Sequence, residues 1–66
     1  MNTNRIEITR LMNAQEVAGT LSIAKSTAYL LIQRKEIPSV RVGRAVRVRP
    51  EDLEEYIKQN LVGYFE

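Results

Sequence analysis

The sequence predicts a small α+β domain, mostly helical, in which two helices are followed by a β-hairpin and a third helix. Three observations predict it. Apolar residues recur at helical spacing between residues 14 and 35, valine and arginine alternate in Val40-Arg41-Val42 and again in Val46-Arg47-Val48, and Pro50 opens an acidic turn. At 66 residues the chain has room for one domain. A domain of this size buries only about 60% of the surface that its unfolded chain exposes.

Residues 1–10 show no period and read as a loose lead-in, with a short extended piece from Arg5 to Thr9. The domain proper is expected over 11–62, with 63–66 as a short tail. Asn13-Ala14-Gln15-Glu16 reads as a capping box, in which the Asn13 side chain accepts from the Glu16 N–H and the Glu16 side chain accepts from the Asn13 N–H. Met12 and Val17 flank it as a hydrophobic staple. The first helix is expected from Ala14 to Leu21, with Val17, Ala18 and Leu21 as its apolar face.

Ser22-Ile23-Ala24 makes a tight connection to a second helix, from Lys25 to Arg34 or Lys35. Ala28, Leu31, Ile32 and the aliphatic stem of Lys35 share one face of it. Ser26, Leu30 and Gln33 share another, with Lys25 and Tyr29 at the edge. Tyr29 is expected half-buried with its hydroxyl near the surface. Pro38 requires the helix to have ended by Ile37.

The hairpin register depends on its loop. A loop of Gly43-Arg44 alone would set Arg41 opposite Val46 and Val40 opposite Arg47, mixing the faces. A loop of Gly43-Arg44-Ala45 pairs Val42 with Val46, Arg41 with Arg47 and Val40 with Val48, leaving each face pure. The three-residue loop is the expectation. Pro50 suits a first helical turn, and Glu51, Asp52 and Glu54 favour the positive end of the helix dipole. Leu53, Tyr56, Ile57 and Leu61 form the apolar stripe of this third helix, which Gly63 can end.

The chain contains neither cysteine nor histidine. That removes disulfides, thiolate and imidazole metal ligands, and the commonest nucleophiles and general bases. Glu51, Asp52, Glu54 and Glu55 lie on one short stretch, whereas a hard-cation site needs oxygens converging from several directions. No catalytic, metal or cofactor site is expected, and the chain does not read as an enzyme. The apolar run around Tyr29-Leu30-Leu31-Ile32 is far too short to span a membrane. Met1 to Arg5 lead into no signal-peptide pattern, so a cytoplasmic, nucleoid-associated protein without a membrane partner is expected.

Net charge is only +2, but it is segregated along the chain. Residues 25–49 carry seven basic side chains against Glu36 alone, while residues 50–66 carry five acidic ones against Lys58. A basic middle of this kind reads as an anion-binding face, nucleic acid being the anion expected, or as a solvated basic stretch. The two short helices read as a helix-turn-helix, with the opening turn of the second able to enter a major groove. Lys25, Ser26 and Thr27 suit that place, being short or flexible hydrogen-bonders with backbone N–H groups that can hold a phosphate. With the expected register, Arg41 and Arg47 would repel across the hairpin unless an anion lay between them. Arg44, at a tip given its freedom by Gly43, could enter a narrow minor groove.

From Leu11 to Ile57 the chain closely resembles the excisionase-type, MerR-like winged helix-turn-helix domains. The likeness is carried by Leu11, Glu16-Val17-Ala18, Ile23, Lys25-Ser26-Thr27, Tyr29, Leu31-Ile32, Glu36-Ile37-Pro38 and Val40-Arg41-Val42-Gly43-Arg44. Arg47-Val48 and Glu51-Asp52-Leu53-Glu54 complete it. The resemblance implies a second helix in the major groove and a hairpin wing in the neighbouring minor groove. It implies phosphate and base contacts at Lys25, Ser26, Thr27, Tyr29, Arg41, Arg44 and Arg47. Two positions depart from the family pattern. Ala24 stands where a serine usually caps the recognition helix, leaving Ser22 or water to cap it. Leu30 stands where a basic residue is usual, and would meet a thymine methyl, a partner protein or solvent.

The expected double-stranded DNA contacts are therefore Lys25, Ser26, Thr27, Tyr29, Leu30 and Gln33 on the second helix. Arg41, Gly43, Arg44 and Arg47 supply those of the wing. The leading expectation is an excisionase of a mobile element that binds and bends attachment-site DNA. Its partners would be a tyrosine- or serine-type integrase and sister copies on tandem sites. A small transcription regulator acting by site occlusion is the alternative within DNA binding. The apolar Leu61-Val62-Gly63-Tyr64-Phe65 segment leaves open a protein-binding adaptor that uses the fold without nucleic acid.

Overall fold

In the computed structural model, residues 10–63 are described, and the extended piece expected at Arg5 to Thr9 lies outside the described residues. The elements are α1 (Ala14–Leu21), α2 (Lys25–Gln33), β1 (Val40–Val42), β2 (Ala45–Arg47) and α3 (Pro50–Gln59). Among the described residues, three helices and one antiparallel hairpin in this order make a winged helix-turn-helix.

The expected capping box opens α1. The Asn13 N–H donates to Glu16 Oε1 at 2.8 Å, and the Glu16 N–H donates to Asn13 Oδ1 at 2.8 Å. Such a cap contributes about 1 kcal/mol. The helix ends on Ser22 in the left-handed conformation, φ 58°. There the Ile23 N–H donates to the Ala18 carbonyl at 3.0 Å and the Ser22 N–H to that of Gly19 at 3.3 Å. These two bonds are the Schellman closure, in which glycine is usual. Ser22 thus finishes α1 and does not cap α2, whose first turn has Ala24 before it and no side-chain cap.

The end of α2 repeats the device. Lys35 is left-handed, φ 65°, and its N–H donates to the Ile32 carbonyl while the Glu36 N–H donates to that of Leu31, both at 3.0 Å. A non-glycine residue in this region costs roughly 1–2 kcal/mol. Lys35 is therefore past the helix and exposed, and its stem does not extend the buried face as expected.

The hairpin departs from the expected register. Val40 pairs with Arg47, Arg41 with Val46 and Val42 with Ala45, so the loop is Gly43-Arg44 alone. Gly43 has φ 61° and Arg44 has no positive φ, the signs of a two-residue turn with glycine first, whose twist suits the strands. Face purity was a weak guide here, because the hairpin is only three residues a side and leaves Val42 56% exposed. The observed pairing also keeps the like charges of Arg41 and Arg47 from facing each other.

Beyond the hairpin, Val48 exchanges backbone hydrogen bonds with Met12, both at 2.8 Å. This single bridge ties the chain entering α1 to the end of the wing. Met12 is partly buried against the core as well as preceding the cap.

The core is small and wholly apolar among the described residues. Ala14, Val17 and Ala18 of α1 meet Ala28 and Ile32 of α2, with Ile37, Val48 and Leu53 closing it from three other segments. Alanines at the α1–α2 contact allow the two helices to approach closely. Leu21, Leu31, Val46 and Tyr56 pack around its edge. The first turns of α3 cover this core through Leu53 and Tyr56, but Ile57 and Leu61 are 41% and 53% exposed. The helix stops at Gln59, where Asn60 caps it and its side-chain amide donates to the Tyr56 carbonyl at 2.8 Å. Gly63 follows the helix and does not end it.

Candidate nucleic-acid interface

The three helix N-termini are treated differently. That of α1 is closed by the capping box, and that of α3, without a side-chain cap, has Pro50 at its start and Glu51 and Asp52 in its first turn. That of α2 has no side-chain cap and no acidic residue in its first turn. Lys25, Ser26 and Thr27 are all exposed there. Unsatisfied N–H groups, the positive end of the helix dipole and a lysine ammonium therefore share one surface, which attracts an anion.

Farther along α2, Tyr29 and Leu30 are 49% and 45% exposed, and Gln33 is exposed. Tyr29 is half-buried as expected. Leu30 is an aliphatic surface among hydrogen-bonders, suited to a methyl group and unable to bind a phosphate.

An open cleft of about 890 Å³ joins the later half of α2 to the wing. Tyr29, Gln33, Lys35, Ser39 and Arg41 bring polar groups to it, over an apolar floor of Ile32, Ile37 and Val46. Three expected contact residues, Tyr29, Gln33 and Arg41, are thereby brought to one concavity. Arg41 reaches it because its register partner is Val46, which packs against the core, so both point to the helix side of the hairpin.

Arg47 belongs to the other face, with Val40, Val42 and Ala45. The expected facing pair of Arg41 and Arg47 does not exist. Arg47 is partly buried, and its guanidinium donates to the Val46 carbonyl at 2.9 Å. Gly43 and Arg44 form the exposed tip.

Ion pairing sorts the cations into two groups. Arg49 donates to both carboxylate oxygens of Asp52, at 2.6 Å and 2.9 Å, and lies 3.7 Å from Glu51. The Arg49 hydrogen bonds hold the Asp52 carboxyl below its ordinary range, and the same contact raises Arg49. Arg10 pairs with Glu16 at 3.4 Å. Among the described residues, Lys25, Arg34, Lys35, Arg41, Arg44, Arg47 and Lys58 make no ion pair. The basic middle of the chain is thus less uniform than its charge count, because Arg49 is internally neutralised.

Lys35 was not among the expected contacts. A signal was present in the sequence: a helix that must stop before Pro38 commonly closes on a left-handed residue, and no glycine stands at Arg34 to Glu36 to take it. Among the described residues no group of histidine, cysteine, aspartate or glutamate side chains could hold a metal ion. No helix among them is long and apolar enough to cross a membrane.

Comparison with known proteins adds a family. A family model described as a helix-turn-helix domain matches residues 11–61. Over 42 residues, 64% of the chain, the sequence is 50% identical to the uncharacterized protein YvgK of Bacillus subtilis strain 168, covering 14% of that protein. Over 50 residues, 76% of the chain, it is 36% identical to the "Putative DNA-binding protein Rv0500A" of Mycobacterium tuberculosis strain H37Rv, covering 64% of it. The protein MT0521 of Mycobacterium tuberculosis strain CDC 1551, which carries the same description, matches to the same extent. The chain therefore spans less than two thirds of the length of these relatives. No solved structure matches it.

Proposed function

From the premise that the chain belongs to the helix-turn-helix domain family, we propose that it is a module that binds double-stranded DNA. The exposed opening turn of α2 enters the major groove, and the Gly43-Arg44 tip reaches the neighbouring minor groove. One observation carries this reading. The cations of α2 and the wing have no carboxylate partner among the described residues, while Arg10 and Arg49 do. Lys58 of α3 is unpaired as well, but it stands alone, whereas six unpaired cations lie between Lys25 and Arg47, a stretch whose one carboxylate is Glu36. A polyanion supplies the missing partner. The description of the two mycobacterial relatives as DNA-binding agrees with it.

The roles follow from chemistry. Lys25 and the free N–H groups of the first turn of α2 hold a phosphate and set the register of the helix. Ser26, Thr27, Leu30 and Gln33 present hydrogen-bonding and methyl-matching groups to base edges. Arg41 contacts the backbone from the cleft, and Arg44 occupies the minor groove. Arg47 bonds the carbonyl of its neighbour Val46 and contributes charge from the far face.

Within DNA binding, the resemblance of Leu11 to Ile57 to excisionase-type domains supports an architectural role on mobile-element attachment sites. One recognition helix and one wing form a small interface, so useful affinity comes from tandem copies or an integrase.

The test is a titration of duplex DNA at about 50 mM salt and upward, where affinity should fall steeply with salt by roughly 0.9 log units per decade for each phosphate neutralised. Absence of binding at the lowest salt defeats the DNA reading and favours an adaptor. Arg44→Ala should weaken A/T-rich sites most. On attachment-site DNA, bending and recruitment of the integrase support the excisionase role. Binding that does neither and only blocks a promoter indicates a regulator.

A further inference from the structure

Lys35 stands in the left-handed conformation that closes α2, φ 65°, where glycine would be free of strain. The closure itself uses backbone groups, the Lys35 and Glu36 N–H donors, so glycine would make the same bonds. The fold does not need a long cation at this position. Its side chain is exposed and lines the cleft between α2 and β1, together with Arg41, Tyr29 and Gln33. Among the described residues no carboxylate lines that cleft, and neither Lys35 nor Arg41 makes an ion pair.

We propose that Lys35 and Arg41 form a two-cation clamp for one backbone phosphate of the bound duplex, seated in this cleft. The inference rests on the DNA-binding reading and adds a residue and a place to it. Two cations on one concavity repel until an anion enters, and the repulsion then becomes attraction from both sides. The floor favours this, since Ile32 and Ile37 are 7% and 0% exposed and exclude water beneath the anion. Tyr29 and Gln33 add neutral donors at the α2 side. A cation is also favourable near the final carbonyls of α2. That effect explains a basic residue in the last turn, but not a strained one on a rim shared with Arg41. Ser22 closes α1 in the same conformation, so it is the exposed cation on the cleft rim, and not the strain, that sets Lys35 apart.

The experiment measures duplex affinity across a salt series, and the melting temperature, for Lys35→Gly, Lys35→Arg, Arg41→Ala and the double variant Lys35→Gly/Arg41→Ala. Lys35→Gly should melt at or above the wild-type temperature while binding about threefold to tenfold more weakly with a shallower salt dependence. Lys35→Arg should restore affinity. The double variant should lose less than the product of the single losses, because both cations serve one phosphate. Wild-type affinity and salt dependence in Lys35→Gly overturn the clamp. So does an equal loss in Lys35→Arg, or single losses that multiply fully. A wild-type protein that ignores duplex DNA defeats the broader reading, an outcome distinct from failure of the clamp alone.

Discussion

Arg41 sits directly across the hairpin from Val46, while Arg47 sits across from Val40, so the two arginines leave the wing on opposite faces. Val46 packs toward the core, which turns Arg41 toward α2 and the cleft. Arg47 turns away and bonds the carbonyl of Val46.

The two arginines should therefore be unequal. Arg41→Ala is expected to weaken duplex binding by about tenfold, the scale of one lost charge-assisted hydrogen bond. Arg47→Ala should weaken it by roughly threefold or less through general charge, with some loss of hairpin stability. Titrations of both variants on one duplex decide the matter, and equal losses would count against the observed faces.

Ala24 leaves the N–H groups of the first turn of α2 without a side-chain acceptor. Ala24→Ser should raise stability by about 0.5–2 kcal/mol, measured as a higher melting temperature. The new hydroxyl also competes with phosphate for those donors, so DNA affinity should not rise with stability. An increase in both would show that the free N–H groups do not hold the anion.

Ile37 is fully buried although it lies between α2 and β1, and it floors the cleft as well as joining the core. Ile37→Ala should cost about 2–5 kcal/mol, a large share of the stability of so small a domain. Ile37→Val should cost about 0.5–1.5 kcal/mol and remain folded. Denaturant titration of both measures this, and a negligible loss in Ile37→Ala would contradict the packing.

Asp52 accepts two hydrogen bonds from Arg49 at the start of α3, and its carboxyl is held low by them. A carboxylate depressed in the folded state contributes stability above its unfolded value and loses it as pH falls through the folded value. Asp52→Asn should therefore melt below the wild type at neutral pH, and the difference should shrink as pH drops through the acid range below the ordinary carboxylate value. A gap that stays constant to low pH would mean that the ion pair is not its source.

Much of the fold was legible because its signals are local. The capping box at Asn13 and Glu16, the break imposed by Pro38 and the start at Pro50 each depend on neighbours within a few residues. The exposure of Ser26, Leu30 and Gln33 followed from helical spacing against Ala28 and Ile32. The end of α3 was less legible, since an apolar Ile57 or Leu61 continues a helical stripe whether or not anything lies opposite it.

The sequence by itself determined the element order, the apolar faces of α1 and α2, and a surplus of cations from the opening turn of α2 through the wing. Periodicity and local capping suffice for these, because each is settled within one or two helical turns. Only the tertiary structure decided the hairpin register, the separation of Arg41 from Arg47, the Met12–Val48 bridge and the neutralisation of Arg49. It also placed Lys35 on the cleft. Those outcomes depend on which of two acceptable loops closes best, and on which side chains distant segments bring together, where local patterns are equally satisfied by either answer.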